Sequence, residues 1–546
     1  MTGRDGSVCW WWAVAPPAAL AAVARELQAG REPGGAAVVK AGARRVVWRV
    51  PGTAGGLLVK RFAVRGAERW KYLVRPSRAR SEYRAMEAFT RLGLPVVRPL
   101  GFGERRAGRL LREAWFVGRL VPDARTLAEA LEEAARAGDG ARAARLARDA
   151  MAVAAELHAH PWLHRDLHAG NLLLDASGRL LITDLHSVWR VPRLGRRQRL
   201  ENLARLIFSL RGGVDLALAP ALVRDYAERR GEPADALVRD ALDALAAFEA
   251  RYVRGRVARC LQDSSLFAVE AGPGGRLFRR RALDPARLSA DLAQHERRLA
   301  EGGPRVLSRA PRSRVTLVGA PPDQHVVKEY VSGGVLGALR QALGAGRGRA
   351  AWVGARRLEV LGIGTAEALA LLERRDGTAL LVTRALGGSR SLRALAPELQ
   401  AGPVARRGAV ALGLGHLVGR LAREGLRHRD LSAKNVFVAD GPPPPPRDLR
   451  WTPPARAARV ELIDLDGLRT MRPFEPRGLV RMLEQLADLP VRPSRTDLRR
   501  FAIGYAAGAG RELPREVAEA ALAGAGARAA ARVTARAPLD PPAARS

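Results

Sequence analysis

Apolar positions along this chain follow two periods, alternation by two and a spacing near 3.6, and the same succession of the two occurs twice. The first uncharged run, VCWWWAVAPPAALAAVA, spans Val8 to Ala24. Pro16 and Pro17 split it near its middle, and only Arg4, opposed by Asp5, precedes it. It is expected to form a buried strand leading into a helix, rather than a signal-peptide core or a membrane span. Pro17 opens a helical pattern, PAALAAVARELQAG, and Pro285 opens another, PARLSADLAQHERRLAEG. Proline suits a first helical turn, where its missing N–H costs nothing. Lys60 lies 43 residues after Pro17, and Lys328 lies 43 after Pro285. Both lysines end β-type runs, GLLVKRF and HVVKEY, each preceded by two short strands around a turn, VVKAGARRVVWRV and RVLSRAPRSRVTLV.

The parallel continues. EYRAMEAFTRLGLP carries apolar residues at Tyr83, Met86, Phe89 and Leu92; WVGARRLEVLGIG carries them at Trp352, Ala355, Leu358 and Leu361. Gly93 and Gly362 follow as candidate helix caps. Strand candidates come next in REAWFVGRL and TALLVTRAL, then long Ala/Arg/Leu-rich helices. A repeat of about 265 residues is far too long for a solenoid unit. It predicts two homologous globular domains, 1–260 and 261–546.

Composition changes the picture in two ways. Hydrophobic content of 47% makes core burial easy, and two cysteines, Cys9 and Cys260, match neither a disulfide framework nor a zinc site. That usage suits a reducing compartment. The formal charge is +37, yet only five basic residues are lysines: Lys40, Lys60, Lys71, Lys328 and Lys434. A G+C-rich coding bias that writes arginine for any generic positive charge accounts for much of this excess. Attraction to an anionic partner is compatible with it. A lysine that persists under such a bias marks a place where arginine's bulk does not serve.

The chemistry sits in a repeated motif, LHRDLHAGNLLLD from Leu163 to Asp175 and RHRDLSAKNVFVAD from Arg427 to Asp440. In both halves the order is strand lysine, helix, paired strands, long helix, His-Arg-Asp with an asparagine five residues on, strand, and aspartate. This order resembles the protein-kinase-like fold. The resemblance implies an α+β chain of two tandem kinase-like domains, each with a small β-rich N-lobe and a larger helical C-lobe. It also implies ATP and Mg²⁺. Asp166 and Asp430 would orient the acceptor hydroxyl. Asn171, Asp184, Asn435 and Asp464 would hold metal. Lys60 and Lys328 would hold nucleotide phosphates, with Glu82 as the partner of Lys60. Five of nine histidines (His158, His160, His164, His168, His186) gather around the first motif, but two of them belong to the motif loop, which disfavours a zinc site.

Among kinase-like proteins the chain is similar to bacterial lipopolysaccharide core kinases, the Kdo/heptose kinase family. SEYRAMEAFTRLGLPVVRPLGFGE, RVARCLQDSSLF, WVGARRLEVLGIGTAEALALLE and LIDLDGLR carry that likeness. It implies an acceptor sugar of the lipopolysaccharide core or a related glycolipid. It also implies a cytoplasmic enzyme peripheral on the anionic inner face of the inner membrane. A nucleic-acid partner rests on charge alone and is not expected. HRDLHAGN is also similar to aminoglycoside-type phosphotransferases, and a pseudokinase scaffold that binds nucleotide without turnover is a third reading. Departures are evident. Neither half has a GxGxxG loop; KAGARR (Lys40 to Arg45) and SRAPRSR (Ser308 to Arg314) stand there instead. The DFG position reads DLH and DLD. Aligning Tyr83 with Trp352 sets Glu82 against Ala351, and Glu359 lies about two turns away. The first domain is therefore expected to be the competent one and the second weakened or regulatory. Asn435 to Asp464 spans 29 residues against 13 for Asn171 to Asp184, and the extra stretch, including Pro442 to Pro446, is expected to be a surface loop.

Overall fold

In the computed structural model the described residues are 8–42, 44–52, 55–331, 334–439, 453–454, 456–487 and 493–523. Two units separate along the chain, the first ending at Ala250 and the second starting at Arg251.

In unit 1 the opening run is a strand, β1 (Val8–Trp12), followed by helix α1 (Ala18–Gln28). Next come β2 (Ala37–Gly42), β3 (Arg45–Val50), β4 (Leu57–Ala63), the short α2 (Glu68–Lys71), α3 (Arg78–Arg91), β5 (Pro99–Ala107) and β6 (Leu110–Arg119). The six strands form one antiparallel sheet in the order β1-β5-β6-β4-β3-β2. Side chains alternate across a strand. Val59, Trp48, Trp115 and Val117 therefore share one face, where they pack with Leu20, Val23 and Leu27 of α1. Lys60, next to Val59, points to the other face, which α3 covers. The tryptophans of β1 are explained by their neighbours: the rings of Trp10 and Trp12 stack on each other, 5.0 Å apart, and lie over Gly103 and Gly101. A Cβ at either glycine would overlap an indole, so glycine is required there.

A helical lobe follows: β7 (Arg125–Thr126), α4 (Leu127–Arg136), α5 (Gly140–His158), β8 (Trp162–His164), β9 (Leu172–Leu174), β10 (Leu180–Ile182), β11 (Val188–Arg190), α6 (Arg196–Ser209), α7 (Ala219–Arg230) and α8 (Ala234–Ala258). The Ala-rich α5 needs its small residues: Ala147, Ala150 and Ala154 are fully buried. β9 and β10 form a hairpin, and β8 pairs with β11. These two small ladders hold the ends of the motif loop.

Unit 2 repeats the plan with β12 (Phe267–Gly272), β13 (Gly275–Arg280), α9 (Pro285–Glu301), β14 (Val306–Ala310), β15 (Ser313–Val318), β16 (His325–Tyr330), α10 (Gly334–Ala342), α11 (Arg347–Leu361), β17 (Ala368–Glu373) and β18 (Ala379–Arg384). Its sheet runs β12-β13-β17-β18-β16-β15-β14, the order of unit 1 with one strand added at the edge. Strands at the added β12–β13 hairpin had no alternation strong enough to predict them. The helical lobe holds β19 (Ser389–Ser391), α12 (Leu392–Ala401), α13 (Val404–Arg423), β20 (Leu426–His428), β21 (Val436–Ala439), β22 (Arg459–Leu462), β23 (Leu468–Thr470), α14 (Pro476–Ala487) and α15 (Arg495–Ala509). The prolines 442–446 lie outside the described residues. Each unit thus has the α+β, two-lobed protein-kinase-like architecture. Among the described residues, no helix is long and apolar enough to cross a membrane.

Candidate active site

The site in unit 1 is assembled from β4, α3 and the two short ladders. Lys60 is 3% exposed, and its Nζ donates to Glu82 Oε1 at 2.5 Å and to Asp184 Oδ1 at 3.4 Å. Glu82 is fully buried on α3, a helix whose N-terminus Ser77 caps by accepting from the Arg80 N–H at 3.1 Å. Asp184 follows β10 and takes a left-handed backbone, φ 62°, uncommon for a residue with a Cβ. That turn swings its carboxylate towards β4. Arg45 Nη1 reaches Asp184 Oδ2 at 3.1 Å, and His186 Nδ1 lies 2.8 Å from Oδ1. Burial alone would raise the Asp184 pKa. The His186 hydrogen bond and the Lys60 and Arg45 charges outweigh it and hold the carboxyl far below its ordinary range.

The motif loop lies alongside. Thr183 N–H donates to the Asn171 carbonyl at 3.0 Å, which joins the segment carrying Asp184 to the loop. Asn171 Nδ2 donates to the Asp166 carbonyl oxygen at 2.8 Å. Asp166 is half-exposed, with Arg205 Nη1 3.0 Å from Oδ1 and His168 Nε2 3.6 Å from Oδ2. Its pKa is lowered, chiefly by the neighbouring His168 and then by Arg205, so the group is ionised at neutral pH. His164, buried, accepts the Asp166 N–H at Nδ1, and burial pushes its pKa down to about 4. Lys60, Glu82, Asp184, Asn171 and Asp166 therefore belong to one connected set. Glu82, Asp184 and His186 also lie close enough to share an ion, but the Lys60 ammonium bonds two of the three, so a cation there would meet a positive charge. For magnesium the better donors are Asp184 and the Asn171 amide oxygen, hard ligands of the kind it prefers.

Unit 2 builds the same frame with different chemistry. Asp464 repeats the left-handed turn, φ 61°, and Lys328 on β16 pairs with its Oδ1. Asn435 Nδ2 donates to the Asp430 carbonyl at 2.9 Å and to Oδ2 at 3.0 Å, while Lys434 sits 2.9 Å from Oδ2. The glutamate position is occupied by buried Ala351 on α11. Glu359 does not approach Lys328; it pairs with Arg280 and Arg356. Asp466, standing where unit 1 has His186, lies 3.9 Å from Lys328 and 2.7 Å from Arg347. Burial and the adjacent Asp464 carboxylate raise its pKa. Arg205 and Arg347 belong to no motif, and no spacing in the sequence points to them; only the fold brings them to the aspartates.

A buried lysine–glutamate pair, a turn aspartate and an aspartate–asparagine loop between two lobes are the parts of a kinase-like phosphotransferase. Residues 59–228 and 306–505 match the lipopolysaccharide kinase (Kdo/WaaP) family, one segment in each unit. The chain belongs to that family. It is similar to the 3-deoxy-D-manno-octulosonic acid kinase of Stenotrophomonas maltophilia, 32% identical over 164 residues, 29% of this chain and 60% of that one. The protein of the same name from Xanthomonas axonopodis pv. citri is 31% identical over 183 residues, 32% of this chain and 70% of that one. That from Xanthomonas campestris pv. campestris is 35% identical over 142 residues, covering 26% and 53%. The chain therefore spans between 53% and 70% of the length of these relatives. A solved structure, WaaP in complex with acyl carrier protein, aligns with 46% of this chain and 95% of its own at 20% identity and a TM-score of 0.31.

Proposed function

We propose that unit 1 is an ATP- and Mg²⁺-dependent kinase that phosphorylates a hydroxyl of a lipopolysaccharide inner-core sugar, working peripherally at the cytoplasmic face of the inner membrane. The observation that carries this reading is the buried Lys60 bridging Glu82 and Asp184 beside the Asp166–Asn171 loop. The names of its relatives, 3-deoxy-D-manno-octulosonic acid kinases, support a lipopolysaccharide sugar as the acceptor.

In this mechanism Lys60, fixed by Glu82, holds the α/β-phosphates. Arg45 supplies positive charge where other kinases use a glycine-rich loop. Asn171 and Asp184 hold Mg²⁺, which when bound neutralises phosphate charge. Asp166 orients the acceptor hydroxyl and takes its proton as that oxygen bonds to the γ-phosphorus. The bond from phosphorus to the bridging oxygen breaks, and ADP leaves with the electron pair. Because such transition states are loose, alignment matters more than strong base catalysis. A carboxylate kept ionised by His168 and Arg205 suits that task. Unit 2, with Ala351 in place of the glutamate and Lys328 tied to Asp464 and Asp466, is read as weakened or regulatory, so Asp430, Asn435 and Asp464 there retain the frame with less phosphate grip.

The test is mass spectrometry of core oligosaccharide from wild-type cells and from cells carrying D166N. Loss of a phosphate on a core sugar in D166N is expected. An unchanged core, together with transfer by the pure protein to a free aminoglycoside, would move the reading to a small-molecule phosphotransferase. ATP binding without transfer to any acceptor would make it a pseudokinase.

A further inference from the structure

Beside the unit 1 site, lined by His186 but not by Asp184, lies a pocket of about 780 Å³ between the start of α3 and the segment of β11. Six cations line it: Lys71, Arg75, Arg78, Arg84, Arg165 and Arg190, with no carboxylate among the lining residues. Of the six, Arg78 is paired, 3.3 Å from Glu68. Arg165 lies over the Trp189 ring at 4.7 Å. Among the described residues, Lys71, Arg75, Arg84, Arg165 and Arg190 have no carboxylate partner. Cations crowded together without counter-charge repel one another, and the arrangement is favourable only when an anion enters. Exposed apolar residues adjoin the lining residues along the chain. Trp70 is 63% exposed and Val74 is 88% exposed, with Leu73 between them, in the same segment as the lining residues Lys71, Tyr72 and Arg75, and Trp189 lines the pocket itself. Large apolar side chains set in a basic segment (ERWKYLVRPSR, Glu68 to Arg78) suit a bilayer interface, where tryptophan lies at headgroup depth and arginine meets phosphate.

We propose that this pocket docks unit 1 on a membrane by taking the phosphates of anionic lipid headgroups, with Trp70, Leu73 and Val74 entering the interface. The proposal rests on the kinase reading only for its purpose, bringing the Asp166 loop to a lipid-borne acceptor. Docking itself needs no turnover. A protein this basic binds anionic vesicles through charge at many places, so the test compares equal charge removal at two locations. The full chain is sedimented with vesicles of phosphatidylcholine alone or mixed with phosphatidylglycerol. The R75A/R84A/R190A variant is expected to lose on the order of a hundredfold in partitioning to the mixed vesicles. The control R25A/R31A/R49A, which alters exposed arginines outside the pocket, should lose less than about threefold, because charge beyond a Debye length of the surface is screened. W70A/V74A should lose several-fold, and the loss should persist when salt is raised.

Equal losses in the two triple variants would overturn the proposal in favour of diffuse attraction. Full vesicle binding by W70A/V74A, with inorganic phosphate bound by the wild type and lost in R75A/R84A/R190A, would assign the pocket to a soluble anion and overturn the lipid assignment. Thermal melts of each variant confirm folding. Failure of the two readings is distinguishable. A chain that docks but leaves the core unphosphorylated sinks the kinase reading alone. A chain that phosphorylates a detergent-solubilised acceptor while its vesicle binding ignores the pocket sinks this one alone.

Discussion

Glu82 is a carboxylate with no exposure to solvent, and its stability depends on one ammonium, Lys60 Nζ. Removing one member of a buried ion pair leaves the other uncompensated, at a cost of about 3–5 kcal/mol. E82A should therefore lower unfolding free energy by about that amount in urea titration, and phosphoryl transfer should fall with it. A loss under about 1 kcal/mol would show that Asp184 alone satisfies Lys60. His158 acts on stability through protons. Buried between Tyr226 and Asn202, it has its pKa lowered to about 3, first by desolvation. An unfolded histidine titrates near ~6.5. Between those values the unfolded chain holds a proton that the folded one does not. The contribution is therefore complete above pH ~6.5 and is lost as pH falls towards 3, at up to about 1.4 kcal/mol per pH unit. In H158Q, which can keep both polar partners, stability measured by denaturant between pH 7 and pH 4.5 should fall less steeply than in wild type. Identical slopes would mean that this ring is not held neutral.

Elements carry a different constraint in the helical lobe of unit 2. Gly415 and Gly419 on α13 face Gly504 and Gly508 on α15, and the two backbones touch: a Cβ on Gly504 would overlap the Leu412 carbonyl oxygen, and one on Gly508 that of His416. Rigid backbone on both sides leaves nothing to yield. G508A should destabilise unit 2 by about 1–3 kcal/mol or more, the usual cost of overpacking. A second thermal transition moving down while the unit 1 transition stays in place would show it. The four-residue spacing of Gly415–Gly419 (GHLVG) and Gly504–Gly508 (GYAAG) puts each pair on one helix face, but nothing in the sequence says that the two faces meet. The sheets were far more legible. Lys60 and Lys328 fall in strands, as the apolar runs before them indicate, though each strand continues past its lysine, to Ala63 and Tyr330, and Gly362 caps α11 at φ 70° as its place after the last apolar residue suggested. The motif residues could be named because their spacing along the chain is fixed by short ladders, β8 with β11 and β9 with β10. Arg205 and Arg347 could not, since each reaches its aspartate across long stretches of chain. The β12–β13 hairpin hid because its turn, AGPGG, interrupts a stretch too charged to read as strand.

At the scale of the whole molecule, a duplicated kinase-like chain raises the question of division of labour. Both units keep the motif aspartate, the asparagine that braces it and the turn aspartate in a left-handed backbone. They differ in what surrounds the lysine. In unit 1 a buried glutamate on the helix holds Lys60 at 2.5 Å, and the lysine reaches Asp184 only at 3.4 Å, an aspartate it shares with Arg45 and His186. In unit 2 no carboxylate on α11 reaches Lys328, so the lysine leans on Asp464 and Asp466. An aspartate that is its lysine's closest partner is less available to a metal than one whose lysine is held first by a glutamate, and the Asp430 carboxylate is bound by the Asn435 side chain and Lys434 where that of Asp166 meets Arg205 and His168. These differences predict unequal consequences for one substitution. D166N should lower kcat by about 10²–10⁴-fold, the usual share of a positioned acid–base group. D430N should leave kcat within about threefold, a small part of that range. Both are measured by radiolabelled phosphate transfer with the same acceptor, on full-length protein whose melting shows two intact units. The reverse pattern, activity kept in D166N and lost in D430N, would assign the chemistry to unit 2, and loss in both would show that transfer needs two working sites.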